Sequence, residues 1–235
     1  MSVVIIVRGI VTTGLLSGTT VLDSLCGRLT LERGDEIVRT WSKRLLDQVD
    51  VRLLVRGTEN IDPQRTYVVM SNHQSLYDIP TLFTALPLRL RMVAKSELFK
   101  VPLWSQAMTA AGFVPVHRGK RERAMQDLRA AQNALSRGIS IWIAPEGTRS
   151  KDGQLLPFKS GGFLLASTAK APILPVTIDG TRRILPARAL HFVRGVEVTV
   201  TIGEAIDSTN YSRKDRKLFA DLVRARIEAG FVSNH

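Results

Sequence analysis

The sequence predicts an α/β domain, a mainly parallel or mixed sheet flanked by helices, with a two-helix element at its N-terminus. Three observations carry this expectation. Strand-length apolar runs alternate with segments whose apolar residues recur at helical spacing. Between 196 and 202, Val196, Val198, Val200 and Ile202 alternate with Glu197, Thr199 and Thr201, the period of a half-buried strand. No internal repeat, low-complexity tract or long linker divides the chain, so residues 51–235 form one domain behind an N-terminal element at 1–50.

The elements follow in order. Val3 to Val7 and Gly9 to Leu22 are apolar, interrupted by Arg8. The uncharged run is short for a bilayer span, which takes about 20 residues, and it is rich in Thr, Ser and Gly. It lacks the basic start and small-residue cleavage site of a signal peptide. Asp35 to Val49 places Ile37, Val38, Trp41, Leu45 and Leu46 on one face, with Arg39, Lys43 and Arg44 on others. An apolar segment followed by a basic amphipathic one predicts a helical pair docked in a membrane interface; the alternative is a pair packed on the domain's own core.

Arg52 to Val55 and Thr66 to Met70 are strands, the second buried. Ser75 to Leu86 is helical, carrying Leu76, Ile79, Leu82, Phe83 and Leu86 on one stripe. Leu90 to Ala94 is a strand, followed by a broken helical stretch around Pro102, and Gly112 to Val116 is extended. Gly119 to Arg137 is a charged helix stopped by Gly138. Ile139 to Ala144 is a strand ended by Pro145, Gly161 to Lys170 a helix, Ile173 to Ile178 a strand, and Tyr211 to Ala229 a last helix with Phe219, Leu222, Val223 and Ile227 on one face.

Composition narrows the function. The chain is long enough to bury a core without disulfides or metal, and its single cysteine, Cys26, excludes a disulfide framework and a cysteine-based zinc site. Cys26 lies beside apolar residues and is expected to pack. Lys and Arg number 33 against 21 Asp and Glu, a formal charge of +12, which favours an anionic partner such as nucleic acid, anionic lipid or a phosphorylated substrate. No zinc-finger spacing or aromatic-rich basic strand accompanies the charge, so nucleic acid is set aside.

The chemistry concentrates in two strand-to-loop junctions, where an α/β scaffold holds a loop rigidly. The first is Asn72-His73-Gln74-Ser75-Leu76-Tyr77-Asp78. On one continuous helix His73 and Asp78 would lie about 140° apart and could not pair. With His73 in the turn and Asp78 in the first helical turn, the carboxylate can fold back to the imidazole, and a helix start favours the anion. Neutral imidazole is the usual base for an alcohol near neutral pH, and a carboxylate on its other nitrogen fixes the tautomer and stabilises the imidazolium. The second junction is Pro145-Glu146-Gly147-Thr148-Arg149-Ser150. Arg149 can hold a phosphate in a bidentate contact, Gly147 permits a tight turn close to a ligand, and Glu146 can accept a bond from a substrate hydroxyl. The bland alternative is a surface loop capped by Ser150. Gly112 to Arg118 likewise ends a strand in a cation; Lys120, Arg121 and Arg123 beyond it form a solvated helix face. Lys95, closing its strand before Ser96, is a further cation.

These blocks resemble those of the 1-acylglycerol-3-phosphate acyltransferase family, within the wider glycerolipid acyltransferase superfamily. The family's Asn-His-x-x-x-x-Asp is matched at Asn72, His73 and Asp78, and its Pro-Glu-Gly-Thr-Arg-Ser in full from Pro145 to Ser150. Its apolar strand opened by Gly and ended by Arg is matched at Gly112 and Arg118, and its apolar-Pro-Val strand at Leu174-Pro175-Val176. Order and spacing fit from about residue 50 to 205, through Gly203-Glu204-Ala205-Ile206. The resemblance implies that His73 is the base and Asp78 its partner. It implies that Arg118 and Arg149 hold the acceptor's phosphate with help from Lys95, that Glu146, with Gly147 and Thr148 beside it, positions the acceptor, and that the first two helices dock on a membrane. His117 departs from the family, which commonly has Asp or another polar residue there.

The reaction expected is direct transfer from acyl-CoA or acyl-acyl carrier protein to lysophosphatidate at the cytoplasmic face of the cell membrane. No metal, cofactor or covalent acyl-enzyme is required, and no Gly-x-Ser-x-Gly elbow is present. Two alternatives stay open: glycerol-3-phosphate or another lysophospholipid as acceptor, and a non-catalytic basic lipid-binding protein.

Overall fold

The strand-length runs become seven strands of one sheet among the described residues: β1 (Arg52–Arg56), β2 (Val68–Ser71), β3 (Leu90–Lys95), β4 (Val114–Val116), β5 (Ser140–Ile143), β6 (Ile173–Asp179) and β7 (Glu197–Ile202). In this computed structural model, which describes residues 1–117, 121–212 and 214–231, the order is β1-β7-β6-β2-β5-β3-β4. Strands β6, β2, β5, β3 and β4 are mutually parallel. Strand β7 runs antiparallel to β6 and carries β1 parallel to itself at the edge. The sheet is therefore mixed. His73 follows β2, in the middle of the order, at the carboxyl end of a parallel strand, where open α/β sheets place their ligands.

Among the described residues eight α-helices flank the sheet: α1 (Ser2–Leu25), α2 (Leu31–Asp47), α3 (Asp78–Ala85), α4 (Trp104–Ala110), α5 (Arg121–Ser136), α6 (Gly161–Ala169), α7 (Thr181–Ile184) and α8 (Arg216–Ala229). The strand period of two divides the core. Val69, Trp142, Leu174 and Val176 join Val38, Leu46, Leu82 and Met108 of α2, α3 and α4 on one face. Val68, Met70, Ile141 and Ile173 join Leu135, Phe163, Phe219 and Val223 of α5, α6 and α8 on the other.

Helix α1 is built inside-out. Its buried residues include Ser17, Thr20 and Asp23, whereas Val3, Val4, Val7, Ile10, Val11, Leu15, Leu22 and Leu25 are exposed. The small and hydroxyl residues dock on α2: Trp41 Nε1 donates to Thr13 Oγ1 at 3.0 Å and Gln48 Nε2 to Thr12 Oγ1 at 3.1 Å. This explains the Thr, Ser and Gly content of the segment. The helix also runs through Arg8 to 24 residues, about 36 Å at 1.5 Å per residue. It is long and apolar enough to cross a membrane, which the uncharged run alone was not.

Helix α2 begins at Leu31, with Thr30 as N-cap accepting from Arg33 N–H at 3.2 Å. It is tied to the sheet by a partly buried ion pair. Arg91 of β3, 1% exposed, places Nη1 2.6 Å from Asp35 Oδ1, and its Nε donates to the Ala111 carbonyl. Two expectations need correction. Cys26 is exposed rather than packed, because it lies in the turn beyond α1. Helix α8 starts at Arg216, not Tyr211, because Asp215 Oδ2 accepts both the Ser212 N–H (2.9 Å) and its hydroxyl (2.6 Å), closing a turn first. The Tyr211 ring instead stacks on Phe219 with centroids 4.4 Å apart.

Candidate active site

The turn after β2 is held by side chains acting as backbone. Asn72, 1% exposed, donates from Nδ2 to the Ile178 carbonyl and accepts the Ile178 N–H at Oδ1, both at 2.8 Å. Its amide thus extends the β2–β6 pairing by one rung while the main chain turns away, which a peptide-like side chain alone can do. His73 emerges from this anchor with its side chain 17% exposed. Its ring meets Trp142 edge-on at 5.8 Å, and Trp142 Nε1 is fixed by Ser71 Oγ at 2.9 Å.

Asp78 opens α3 and is fully buried. Its Oδ2 lies 2.7 Å from His73 Nδ1 and accepts the N–H groups of Gln74 (2.7 Å) and Ser75 (2.9 Å). Its Oδ1 accepts the Thr181 hydroxyl. The expected fold-back of carboxylate to imidazole is therefore present. A carboxylate only accepts, so the Nδ1 contact puts the ring proton on Nδ1 and the lone pair on Nε2.

The Pro145–Ser150 loop wraps the His73 peptide on both sides. Glu146 Oε1 accepts the His73 N–H at 2.7 Å, and Ser150 N–H donates to the His73 carbonyl at 2.7 Å. Glu146 is 2% exposed, and its Oε2 accepts the Leu156 N–H at 2.9 Å. The bonds expected from Glu146 to a substrate hydroxyl are here made to the protein's own backbone. Burial pushes its carboxyl above the usual carboxylate range, against the lowering effect of those two amides. Ser150 does cap the loop, accepting Gly153 N–H at 3.0 Å, and Gln74 Nε2 reaches the Gly153 carbonyl at 3.2 Å. Gly147 sits at φ +69°, a backbone conformation that favours glycine, and a Cβ there would displace the Lys159 side chain, whose Nζ lies 2.8 Å away. Thr148 is exposed on the same loop and Arg149 half-buried.

Cations gather at this end of the sheet. Lys95 is the exposed last residue of β3, two strands from β2. Neither Lys95 nor Arg149 forms an ion pair among the described residues. Lys159 over Gly147 adds a cation that periodicity and block matching did not single out. Arg118, expected to hold phosphate, lies outside the described residues. His117 precedes it in a second His–Asp arrangement: Asp127 Oδ2 accepts the His117 N–H at 2.6 Å, and Oδ1 lies 3.0 Å from Nδ1.

Thr181 is the residue that sequence reasoning missed. Its only signal was the Asp-Gly-Thr that ends β6: Gly180 sits at φ +106°, where a Cβ would approach the Glu197 carbonyl oxygen to 2.4 Å, and the turn it permits drops Thr181 beside Asp78. Behind α3, a narrow apolar cavity of about 80 Å³ lies among Leu16, Trp41, Ile79, Phe83, Trp104 and Met108, roofed by the N-terminal helices.

Comparisons with known proteins show which family and fold this chain resembles. The family described as Acyltransferase matches residues 52–179. The chain is 35% identical over 153 residues to the chloroplastic 1-acyl-sn-glycerol-3-phosphate acyltransferase BAT2 of Brassica napus, a match covering 65% of this chain and 44% of that protein. It is 31% identical over 175 residues to 1-acyl-sn-glycerol-3-phosphate acyltransferase alpha of Mus musculus, covering 74% of this chain and 61% of that one. The matched spans are thus less than two thirds of these curated relatives' lengths. The crystal structure of the 1-acyl-sn-glycerophosphate (LPA) acyltransferase PlsC from Thermotoga maritima superposes with a TM-score of 0.74 at 28% identity, covering 96% of this chain and 97% of that one.

Proposed function

The chain belongs to the acyltransferase family, and from that premise we propose that it transfers a fatty acyl group from acyl-CoA or acyl-acyl carrier protein to the free hydroxyl of 1-acylglycerol-3-phosphate, giving phosphatidic acid. The observation that carries this reading is the His73 Nδ1–Asp78 contact at 2.7 Å, which leaves Nε2 as a base at the carboxyl end of β2. His73 Nε2 takes the hydroxyl proton as the oxygen attacks the thioester carbonyl carbon. Collapse of the tetrahedral intermediate breaks the C–S bond, and the imidazolium returns its proton to the departing thiolate. Asp78, held by three further donors, stabilises the imidazolium without itself moving. Arg149, Lys95 and Arg118 meet the acceptor's phosphate, while Glu146, flanked by Gly147 and Thr148, sets the loop that faces it. The apolar cavity beside Ile79 and Phe83 accommodates acyl chain.

The inside-out α1 supports a monotopic or peripheral seat on the cytoplasmic face of the cell membrane. Its outward aliphatic stripe enters the lipid interface, which keeps the lysolipid's chain from having to leave the bilayer. Thiol release measured with lysophosphatidate and each donor in turn tests the activity. His73→Ala is expected to lower transfer by about 10²–10⁴-fold while lysolipid binding persists; near-normal turnover in that variant overturns the mechanism, and thiol release independent of lysophosphatidate overturns the acceptor.

A further inference from the structure

The segment from Gly180 to Val196 carries Arg182, Arg183, Arg188 and Arg194 and no acidic residue. Its middle is a tight turn: Ala189 N–H donates to the Pro186 carbonyl at 3.1 Å, with Arg188 at φ +68°. Beyond the turn, from 190 to 195, Phe192 alone is buried. Leu190 is 76% exposed, Phe192 is buried, and Val193 is 43% exposed.

The loop is rigidly held. The Phe192 ring meets Tyr77 edge-on at 6.0 Å, and its N–H donates to Ser2 Oγ at 3.2 Å, at the first turn of α1. Val193 N–H donates to the Ile184 carbonyl at 3.0 Å, and the Leu185 carbonyl accepts Ser75 Oγ at 2.8 Å. Ser75 and Tyr77 belong to the turn between His73 and Asp78, and Leu76 between them is itself 51% exposed. The outward leucine and valine are thus fixed at once to the catalytic turn and to the start of α1, whose Val3, Val4 and Val7 are exposed beside Ser2. A single exposed leucine means nothing. Arg194 is paired with Asp50 at 2.6 Å, whereas Arg188 forms no ion pair among the described residues. An apolar set beside an exposed helix face, with an unpaired arginine at its edge, has the chemistry that fits an anionic lipid surface.

We propose that the Pro186–Arg194 loop is a second membrane contact: Leu190 and Val193 enter the interface of an anionic bilayer while Arg188 meets headgroups. The proposal rests on the reading of α1 as membrane-seated and extends it. A helix lying in an interface fixes a line and leaves the body to roll about it. A second contact off that line fixes a plane, and because this loop is bonded to the catalytic turn, it sets how the mouth of the site meets the lipid.

The test uses the full chain on phosphatidylglycerol–phosphatidylcholine vesicles and on phosphatidylcholine alone. Leu190→Asp/Val193→Asp should lower sedimentation with anionic vesicles by about tenfold or more, as expected from loss of two interfacial aliphatic side chains. Activity on vesicle-borne acceptor should fall in step, with activity on dispersed short-chain acceptor unchanged. Arg188→Gln should weaken binding to the anionic vesicles only. In Leu190→Trp, emission should shift blue with vesicles and be quenched by brominated lipid; absence of quenching overturns the proposal independently of the double variant. The control is Val7→Asp/Val11→Asp on α1. If it detaches while the loop variant binds as the parent does, the second contact is refuted and the seat on α1 stands. If neither detaches, both readings fall. Loss of activity on dispersed acceptor in the loop variant also overturns the proposal, because the loop then acts on the site itself.

Discussion

Thr181 and Asp78, 103 residues apart in the chain, meet in the buried floor of the site, where the threonine hydroxyl donates to Asp78 Oδ1 at 2.5 Å. Every acceptor oxygen of the aspartate is thereby committed: Oδ2 serves His73 and two backbone amides, and Oδ1 serves Thr181. The carboxylate has one orientation in which all four donors are satisfied, and that orientation also aims His73 Nε2.

Thr181→Val removes one buried donor while keeping shape. Its expected cost is about 1–3 kcal/mol, the price of an unsatisfied buried acceptor, shared between stability and the aim of the imidazole. Turnover should fall by about tenfold with the acceptor KM little changed, and the acidic limb of the kcat profile should move. Thr181→Ser keeps the hydroxyl and should restore most of the loss. A valine variant with parental turnover and pH profile would show that Thr181 only fills space.

Glu146→Gln tests the wrapping of the two blocks. An amide has one acceptor oxygen, so its NH₂ must face either the His73 or the Leu156 N–H. The variant should lose about 1–3 kcal/mol of stability and most of its turnover. The pH dependence has a definite sign. Burial raises the folded Glu146 carboxyl above its unfolded value, so the folded state binds the proton more tightly. The parent therefore gains stability relative to the glutamine variant as pH falls from that raised value to the ordinary carboxylate value, and the gap is constant outside this window. Urea unfolding of both proteins across the acid range measures it. A gap that narrows on acidification would contradict the raised value.

What the sequence made legible was what is local or periodic. His73 and Asp78 are five residues apart, so a turn feeding a helix start sufficed to bring them together. The strands are legible as short apolar runs, the last of them by its alternation, and the longer helices by their period, with ends displaced where side chains such as Asp215 close a turn first. Contacts between distant segments left no such trace: Thr181 reaches Asp78 across 103 residues and Arg91 reaches Asp35 across 56. Glu146 stands out by its block, but nothing local reveals that Leu156 and His73 both turn their amides toward it. The composition of α1 is plain, yet its inside-out facing depends on Thr12 meeting Gln48 and Thr13 meeting Trp41 in space.

Arg149→Ala should raise the acceptor KM by about tenfold to a hundredfold, as for a lost charge-assisted contact of about 1.5–3 kcal/mol, with kcat and donor KM nearly unchanged. Arg149→Lys should recover only part, because an ammonium cannot reproduce a bidentate fork. Arg118→Ala is expected to act in the same direction. An unchanged acceptor KM with weakened donor binding would assign these cations to the donor's phosphates instead.

The Asp35–Arg91 pair decides whether the N-terminal helices belong to the folding unit. Arg91 is 1% exposed, and burial alone would push its guanidinium downward; Asp35 opposes that, at 2.6 Å. Asp35 also takes Arg89 Nε at 2.9 Å, so one carboxylate on α2 serves two arginines of the β3 segment. Removing it strands a buried cation, and Asp35→Ala should cost about 3–5 kcal/mol in urea unfolding. Arg91→Met combined with Asp35→Leu removes both charges and keeps apolar volume, so it should cost far less than the single variant, although Arg89 then loses one partner and keeps Glu32. Proteolysis separates loss of the whole fold from release of α2 alone. If Asp35→Ala leaves the sheet domain protected while the linker at residues 26–30 is cut faster, the pair is a latch for the N-terminal element. If both regions lose protection together, α2 is part of the cooperative core that Val38 and Leu46 already share with the sheet.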